Sequence, residues 1–453
     1  MRRRSRASIL LVTVVLYGCW CTPASAAGAR LTLAEAVASA LERGDAAQIA
    51  ALEAAQAASL AGEERSAYLP HLFVTSGAGY SNRQNAKLRT LNASGEEKVY
   101  GLRSLGASDG WINVEVEQLI FDLGNWRRIE QQSLAAEAAR IGAEERREAV
   151  ARDVVTAYAR VLRLEQLHAV AVERARQARW LDEQAVRLLN AGRAVPTERE
   201  QVSLAAGEAA LEADTRAAEL ADARGTLQTA IGDPARDVSV LDPGSVPRPE
   251  PPAGDLTSDA SLAATPALQV LDLRKRVEES GLAAARAGRY PTVGLQGGYS
   301  NYGPNRYDNY PDELSVNLAF KLPLFDGNRT SHAVAGATAA VEIAERRYRA
   351  MLEEKRARVR ELSERLATGR VRSDLADRRA DLGRERVRLA DLNLQGERGS
   401  LGDGIAARDA FGRDAAAAVE ARWDRLETWA DLMVESGGLA RAIVGPPANP
   451  APR

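Results

Sequence analysis

Two stretches of this chain, 122–195 and 329–395, contain no proline, and glycine is rare in both. Between Asn125 and Ala191 the one glycine is Gly142; between Arg329 and Gln395 there are Gly336, Gly369 and Gly383. Within the first stretch Val154, Tyr158 and Val161 fall at i, i+4 and i+7, and Val155 and Leu162 stand seven apart. That is the spacing of one helical face. A helix of about 66 residues rising 1.5 Å per residue spans about 100 Å. Helices of globular proteins run to about 20 residues. A helix this long must lie along others in a coiled-coil-like assembly. A turn at Gly192 leads to Pro196 in the first turn of a return helix ending near Gly232. A turn rich in glycine (Gly396, Gly399, Gly402, Gly404) leads to a last helix ending at Gly437-Gly438.

Composition fits such an assembly. Aromatic residues are 5% of the 453, while alanine is abundant, so helices can approach closely instead of surrounding a thick core. With 60 basic and 62 acidic residues the chain lacks the positive excess of a dedicated nucleic-acid binder, and no nucleic-acid partner is expected. At the N-terminus Arg2, Arg3, Arg4 and Arg6 precede an apolar run from Ile9 to Gly18, followed by Ala24-Ser25-Ala26. This reads as a signal peptide over 1–26, cleaved after Ala26, and so as an exported protein. Leu16-Tyr17-Gly18-Cys19 allows a second reading, a lipobox with Cys19 acylated, although Tyr17 is bulky for such a box. Both cysteines, Cys19 and Cys21, precede Ala26, so the mature chain would carry no disulfide and no thiolate metal site. No later stretch has the about 18 apolar residues of a membrane-spanning helix.

Around the long helices the period changes. Thr32 and Glu35 form a capping box with Leu31 as its staple, and Gly44 should end that helix. The next is expected to run to about Tyr68, before Pro70. Strands are then predicted at 71–81, with Leu72, Val74, Ala78 and Tyr80 on one face, and at 111–121. In the second, Ile112, Val114 and Val116 alternate with Asn113, Glu115 and Glu117. The stretch from Asn82 to Gly110 reads as polar loop. A proline-rich linker over 233–265 should cross a surface in extended form. A second half then repeats the first, with a helix before Tyr290-Pro291 and strands at 292–300 and 313–323. The proline-rich tail, 441–453, is expected to be disordered. The domains are thus 27–232 and 266–440. Pro70 and Pro291 stand 221 apart, whereas Phe121-Asp122 and Phe325-Asp326, like Gly192 and Gly396, stand 204 apart. The register slips once, in the loop between paired strands, where length varies at little cost.

Each half therefore has two strands of about ten residues, the length that crosses a bilayer as a tilted strand. Four strands cannot close a barrel, and open edges are not tolerated in lipid, so several copies must contribute.

At this point the chain resembles the TolC family of outer membrane efflux channels. The resemblance rests on Leu31-Thr32-Leu33-Ala34-Glu35-Ala36, Tyr68-Leu69-Pro70, Leu119-Ile120-Phe121-Asp122, Arg289-Tyr290-Pro291 and Leu322-Pro323-Leu324-Phe325-Asp326-Gly327, and it covers about residues 31–440. It implies a mainly α fold with a transmembrane β-barrel part. Four strands per protomer would complete a 12-stranded barrel in a homotrimer, above a long α-helical tunnel in the periplasm. It implies a place in the cell outer membrane, with a periplasmic adaptor and an inner-membrane transporter as partners. The function implied is the exit duct of a tripartite efflux or type I secretion system.

The helix-turn-helix tips, about 190–200 and 395–405, would form the periplasmic entrance. Glu198 follows Gly192 by six residues, and Asp403 takes the matching place if one residue is inserted. By resemblance these acids would ring the constriction and favour cations; taken alone, each is an ordinary first-turn or turn acid. Arg193 and Arg398 could link the closed state to neighbouring acids, or be solvated turn charges. Trp111, Tyr299 and Tyr80 are candidates for an interfacial aromatic belt; for Trp126, packing at the barrel–helix junction is expected. His71, His168 and His332 are scattered, so neither metal nor cofactor is expected. Gly399-Ser400-Leu401-Gly402 resembles a phosphate loop only superficially. The absence of a nucleophile elbow or a His-Glu-x-x-His pair disfavours an exported hydrolase. A periplasmic coiled-coil scaffold or adaptor without channel activity would not need duplicated amphipathic strands.

Overall fold

The computed structural model describes residues 30–81, 86–91, 97–102, 107–234, 236–252, 254–302, 313–396 and 398–445. The signal-peptide region, its lipobox and 446–453 lie outside them. Helices α1 (Leu33–Arg43) and α2 (Asp45–Ser66) lead to strand β1 (His71–Ser81). A hairpin of β2 (Ala86–Leu91) and β3 (Glu97–Leu102) follows, then β4 (Ala107–Asp122). The chain passes straight from β4 into α3 (Leu123–Asn190) and returns as α4 (Pro196–Ile231). After a short α5 (Asp259–Ala263) come α6 (Pro266–Ala287), β5 (Thr292–Tyr302), β6 (Glu313–Lys321), α7 (Arg329–Gln395), α8 (Leu401–Glu435) and α9 (Leu439–Val444).

The two long helices have 68 and 67 residues, as the missing prolines allow. Asp122 caps α3 by accepting the Asn125 N–H at 3.0 Å. Towards the sheet, α3 lies beside α2 and α6, and α6 beside α7; towards the tips, α3 lies between α4 and α8, and α8 against α7. The tip-side seams use small residues. Ala171, Ala175 and Ala178 of α3 meet Ala209 and Ala213 of α4. Gly383 of α7 lies against Phe411, where a Cβ would come within 3.2 Å of the Phe411 Cα. At such seams a larger side chain would push the helices apart.

Midway along the helices a belt holds the largest core. It joins Val37 of α1, Val154, Tyr158 and Val161 of α3, Leu227 of α4, Leu362 of α7 and Trp429 of α8. Its centre is the Tyr158 hydroxyl, which donates to the Leu31 carbonyl at 2.8 Å and accepts the Asp242 N–H at 3.0 Å. Burial raises the Tyr158 pKa. The linker does cross a surface, but it is stitched down. Leu31 and Leu241 form a parallel bridge, and 243–245 and α5 are short helical turns. The chain also stays ordered past 440. In α9, Leu439 is buried and the Ala440 N–H donates to the Glu148 carboxylate at 3.0 Å. The expected disordered tail therefore begins no earlier than residue 445.

Strands form one antiparallel sheet in the order β1-β4-β5-β6. The predicted strands at 71–81, 111–121, 292–300 and 313–323 all lie in it. β4 starts four residues earlier than expected, and β6 stops at Lys321, ahead of Pro323, which has no N–H to donate to a ladder. The expected polar loop instead holds the separate β2–β3 hairpin. Its short pattern, with Lys87 and Arg89 between Ala86, Leu88 and Leu91, gave no clear alternation. α2 ends at Ser66, two residues before Tyr68.

Replacing Tyr158 by Phe removes the hydroxyl that joins three stretches of chain and leaves the Asp242 N–H without that partner. The expected outcome is a loss of about 2 kcal/mol of stability, read as a lower denaturant midpoint with unchanged helix content.

Candidate functional site

The register of the sheet divides it into two chemically different faces. Val74, Val114, Tyr299 and Leu314 form one cross-strand row, and Leu72, Val116, Gly297 and Val316 form the next. The intervening rows belong to the other face: Phe73, Glu115, Gly298 and Ser315, then His71, Glu117, Gln296 and Asn317. There the Gln296 amide donates to the Glu117 carboxylate at 3.4 Å. On β6 the apolar face is open: Leu314, Val316, Leu318 and Phe320 are each at least 66% exposed. Four apolar side chains this exposed on one strand must be covered by something other than water. A bulge between Leu119 and Phe121 shifts the alternation, so that Phe121 shares the apolar row of Val293 and Phe320. Among the described residues, the outer edges of β1 and β6 pair with no strand.

Of the candidate belt aromatics, Tyr299 lies in an apolar row, paired with Val114 and Leu314. Tyr80 falls at an apolar register position, opposite Ser108. Trp111 pairs with Gly77 and Tyr302 and alternates with Ile112, so its register position belongs to the face of Asn113 and Glu115. The sheet does not place it with the other two. Trp126, expected to be packed, is 65% exposed. It lies on the first turn of α3, beside a cavity of about 410 Å³ at the sheet–helix junction.

The tips are built by matching rules. Gly192, at φ +70°, closes the first turn, with its N–H bonded to the Leu189 carbonyl and the Arg193 N–H to the Leu188 carbonyl at 2.8 Å. The Arg398 N–H reaches the Asn393 carbonyl, also at 2.8 Å. Arg193 and Arg398 therefore occupy equivalent places, 205 residues apart. The residues capping the ends of α3 and α7 are Ala191 and Gly396. This corrects the pairing of Gly192 with Gly396: the true counterpart of Gly192 is position 397, outside the described residues.

Glu198 and Asp403 are likewise equivalent, each in the first turn of a return helix. The Glu198 carboxylate accepts the Val195 N–H at 3.1 Å. The Asp403 carboxylate accepts the Ser400 N–H at 3.1 Å and the Ser400 hydroxyl at 2.8 Å, while its own N–H donates to that hydroxyl. These bonds hold the Asp403 pKa below the usual carboxylate range. Within one chain both acids are helix caps, and Ser400 belongs to a capping box, not a phosphate loop.

Sequence reasoning missed the charges that join the four tip helices. Arg408 of α8 is 3% exposed. Its guanidinium donates to Asp391 of α7 at 2.6 Å, to the Gln177 carbonyl of α3 at 3.2 Å and to the Gly404 carbonyl at 3.1 Å, and it lies over the Trp180 ring. Arg174 of α3 pairs with Glu212 of α4 and, at 2.6 Å, with Asp409 of α8. Gly412 leaves room for it, since a Cβ there would stand 2.9 Å from the Arg174 Cδ. No local pattern marks these residues, because the partners come from different helices.

Comparison with known proteins matches residues 257–438 to the family described as outer membrane efflux protein. Among curated proteins no sequence matches. Solved structures share the fold at low identity. The outer membrane protein VceC of Vibrio cholerae is 16% identical, with a TM-score of 0.76 over 89% of this chain and 96% of that one. The CmeC outer membrane channel of Campylobacter jejuni is 17% identical, with a TM-score of 0.75 over 90% and 85%. The MtrE outer membrane channel of Neisseria gonorrhoeae, in its open state, is 18% identical, with a TM-score of 0.71 over 91% and 90%. The fold is that of the TolC-like channels.

Truncating Arg408 to Ala leaves Asp391 without its buried partner. The expected cost is about 3 kcal/mol, part of which returns when Asp391 is also changed to Ala. Denaturation of the two single variants and the double variant measures it; strictly additive losses would refute the coupling.

Proposed function

We propose that this chain, whose residues 257–438 belong to the outer membrane efflux protein family and whose fold is that of outer membrane channels, is a homotrimeric exit duct. The observation that carries the reading is the four-stranded sheet with one apolar face and two edges that are unpaired among the described residues. Strand directions alternate across it, so β1 of one copy can meet β6 of the next in antiparallel fashion, and three copies close 12 strands. The copy number of three follows the family resemblance.

The helices have edges too. Towards the tips these are α4 and α7, and both carry open apolar stripes. Leu204 and Leu211 on α4, and Leu375, Leu382 and Leu389 on α7, recur every seven residues and are all at least 47% exposed. Such heptad stripes suit packing of one copy's α4 on the next copy's α7. Repeats at 27–232 and 266–440 account for equal partners within the copy: α2 and α6 both have 22 residues, and β1 and β5 both have 11.

In this reading the sheet crosses the outer membrane and the helices form a periplasmic tunnel. The tips dock a periplasmic adaptor and, through it, an inner-membrane transporter, giving a tripartite efflux or type I secretion system. Glu198 and Asp403 ring the entrance, and Arg193 and Arg398 flank it. The Glu115 and Glu117 face lines the barrel. In this reading the chain is a conduit and not an enzyme.

Purified protein in a planar bilayer should give small, cation-selective steps. Glu198→Gln with Asp403→Asn removes both charges but keeps oxygen acceptors for the caps, so cation selectivity should fall without unfolding. Unchanged selectivity would remove these residues from the gate. Leu382→Glu should put a charge into the contact between copies and convert the trimer to monomer, read by light scattering in detergent. A trimer in that variant would refute the proposed edge contact.

A further inference from the structure

The cavity at the sheet–helix junction has a chemistry that the duct does not use. It opens between the last turn of α2, the end of β4 and the first turn of α3, with a volume of about 410 Å³. Its apolar wall is Ile120, Phe121 and Trp126, all exposed, with Trp126 the most open at 65%. Phe121 belongs to the last apolar row of the sheet, with Val293 and Phe320, and two residues later the chain is already in α3. The cavity therefore lies where the apolar face of the sheet ends against the helices.

Its polar end carries an uncompensated cation. The Asp122 carboxylate is engaged by the Asn125 N–H at 3.0 Å and by Arg128 at 4.0 Å. The Tyr68 hydroxyl donates to the Asp122 carbonyl at 2.7 Å. Among the described residues, the exposed Arg65 guanidinium has neither an ion pair nor a hydrogen bond. An aromatic wall running into an apolar sheet face, with one free guanidinium at its polar end, matches an amphiphile with an anionic head.

We propose that this cavity binds the headgroup of an anionic phospholipid in the leaflet beside the helices. The phosphate lies on Arg65, the glycerol region against Trp126, and the acyl chain along Phe121 and Ile120 onto the sheet. The site rests on the membrane reading of the sheet given above. A guanidinium at a lipid surface gives about a fivefold preference for the anionic lipid.

The test uses the full protein and its Trp126→Phe variant, reconstituted in phosphatidylethanolamine bilayers. These contain an equal minor fraction of either phosphatidylglycerol or phosphatidylethanolamine with brominated acyl chains. The difference between the two proteins isolates the quenching of Trp126. The expected result is about fivefold preferential quenching by brominated phosphatidylglycerol. Arg65→Ala should abolish the preference, Arg65→Lys should retain most of it, and conductance should be unchanged in both. Equal quenching by the two lipids, or a preference that survives Arg65→Ala, overturns the headgroup site. A Trp126 that neither lipid quenches, in a channel that still conducts, means that a neighbouring copy covers the cavity, and the proposal falls while the duct stands. No quenching of any tryptophan together with no conductance would overturn the membrane reading itself.

Discussion

A β-strand in hydrocarbon has no water to satisfy its backbone, so every N–H and C=O on its edges must meet another strand. Among the described residues the sheet has four strands and two bare edges, with an apolar face exposed across it. Much of the remaining architecture answers that constraint. The strands alternate in direction, which lets the last strand of one copy meet the first of the next. The helices continue the same logic, because their outermost members also carry apolar stripes with no partner inside the chain. The protomer is thus shaped as a sector, and its unmet surfaces are those a copy of itself can meet.

The long helices were the most legible part of the sequence. Absent proline lets them run long, and the glycines just past their ends, Gly192 and Gly396, mark where they stop. The four sheet strands were legible for a related reason: one face is apolar and the other largely polar, so period 2 runs along each. The β2–β3 hairpin escaped because its strands are short and lie outside that sheet. Trp111 shows what the sequence left open: aromatic character and nearness to a strand end say nothing about register, which the pairing with Gly77 and Tyr302 fixes.

The tips divide in the same way. Glu198 and Asp403 could be matched across the two halves because a return helix needs an acid near its start. The one-residue offset at Gly396 could not be resolved without the capping geometry. Arg408 and Arg174 were invisible, since an arginine of this kind is recognisable only by its partners, and Asp391, Asp409, Glu212 and the Gln177 carbonyl come from four different helices. A buried guanidinium with several acceptors orders its neighbours more than it stabilises them. Its place among alanine seams, where apolar side chains interlock little, suits that task.

The stitched belt at the middle of α3 has a mechanical consequence. Tyr158 ties the segment at Leu31, just before α1, to the linker at the height where the core is thickest. Helices above and below this height are held by smaller apolar clusters and by scattered charges. A long rod clamped at its midpoint flexes on either side of the clamp with little displacement at the clamp itself. In the proposed trimer the belt would act as a hoop: it would fix the girth of the assembly at one level, so that bending at the tips is not passed on as a change of bore at the sheet.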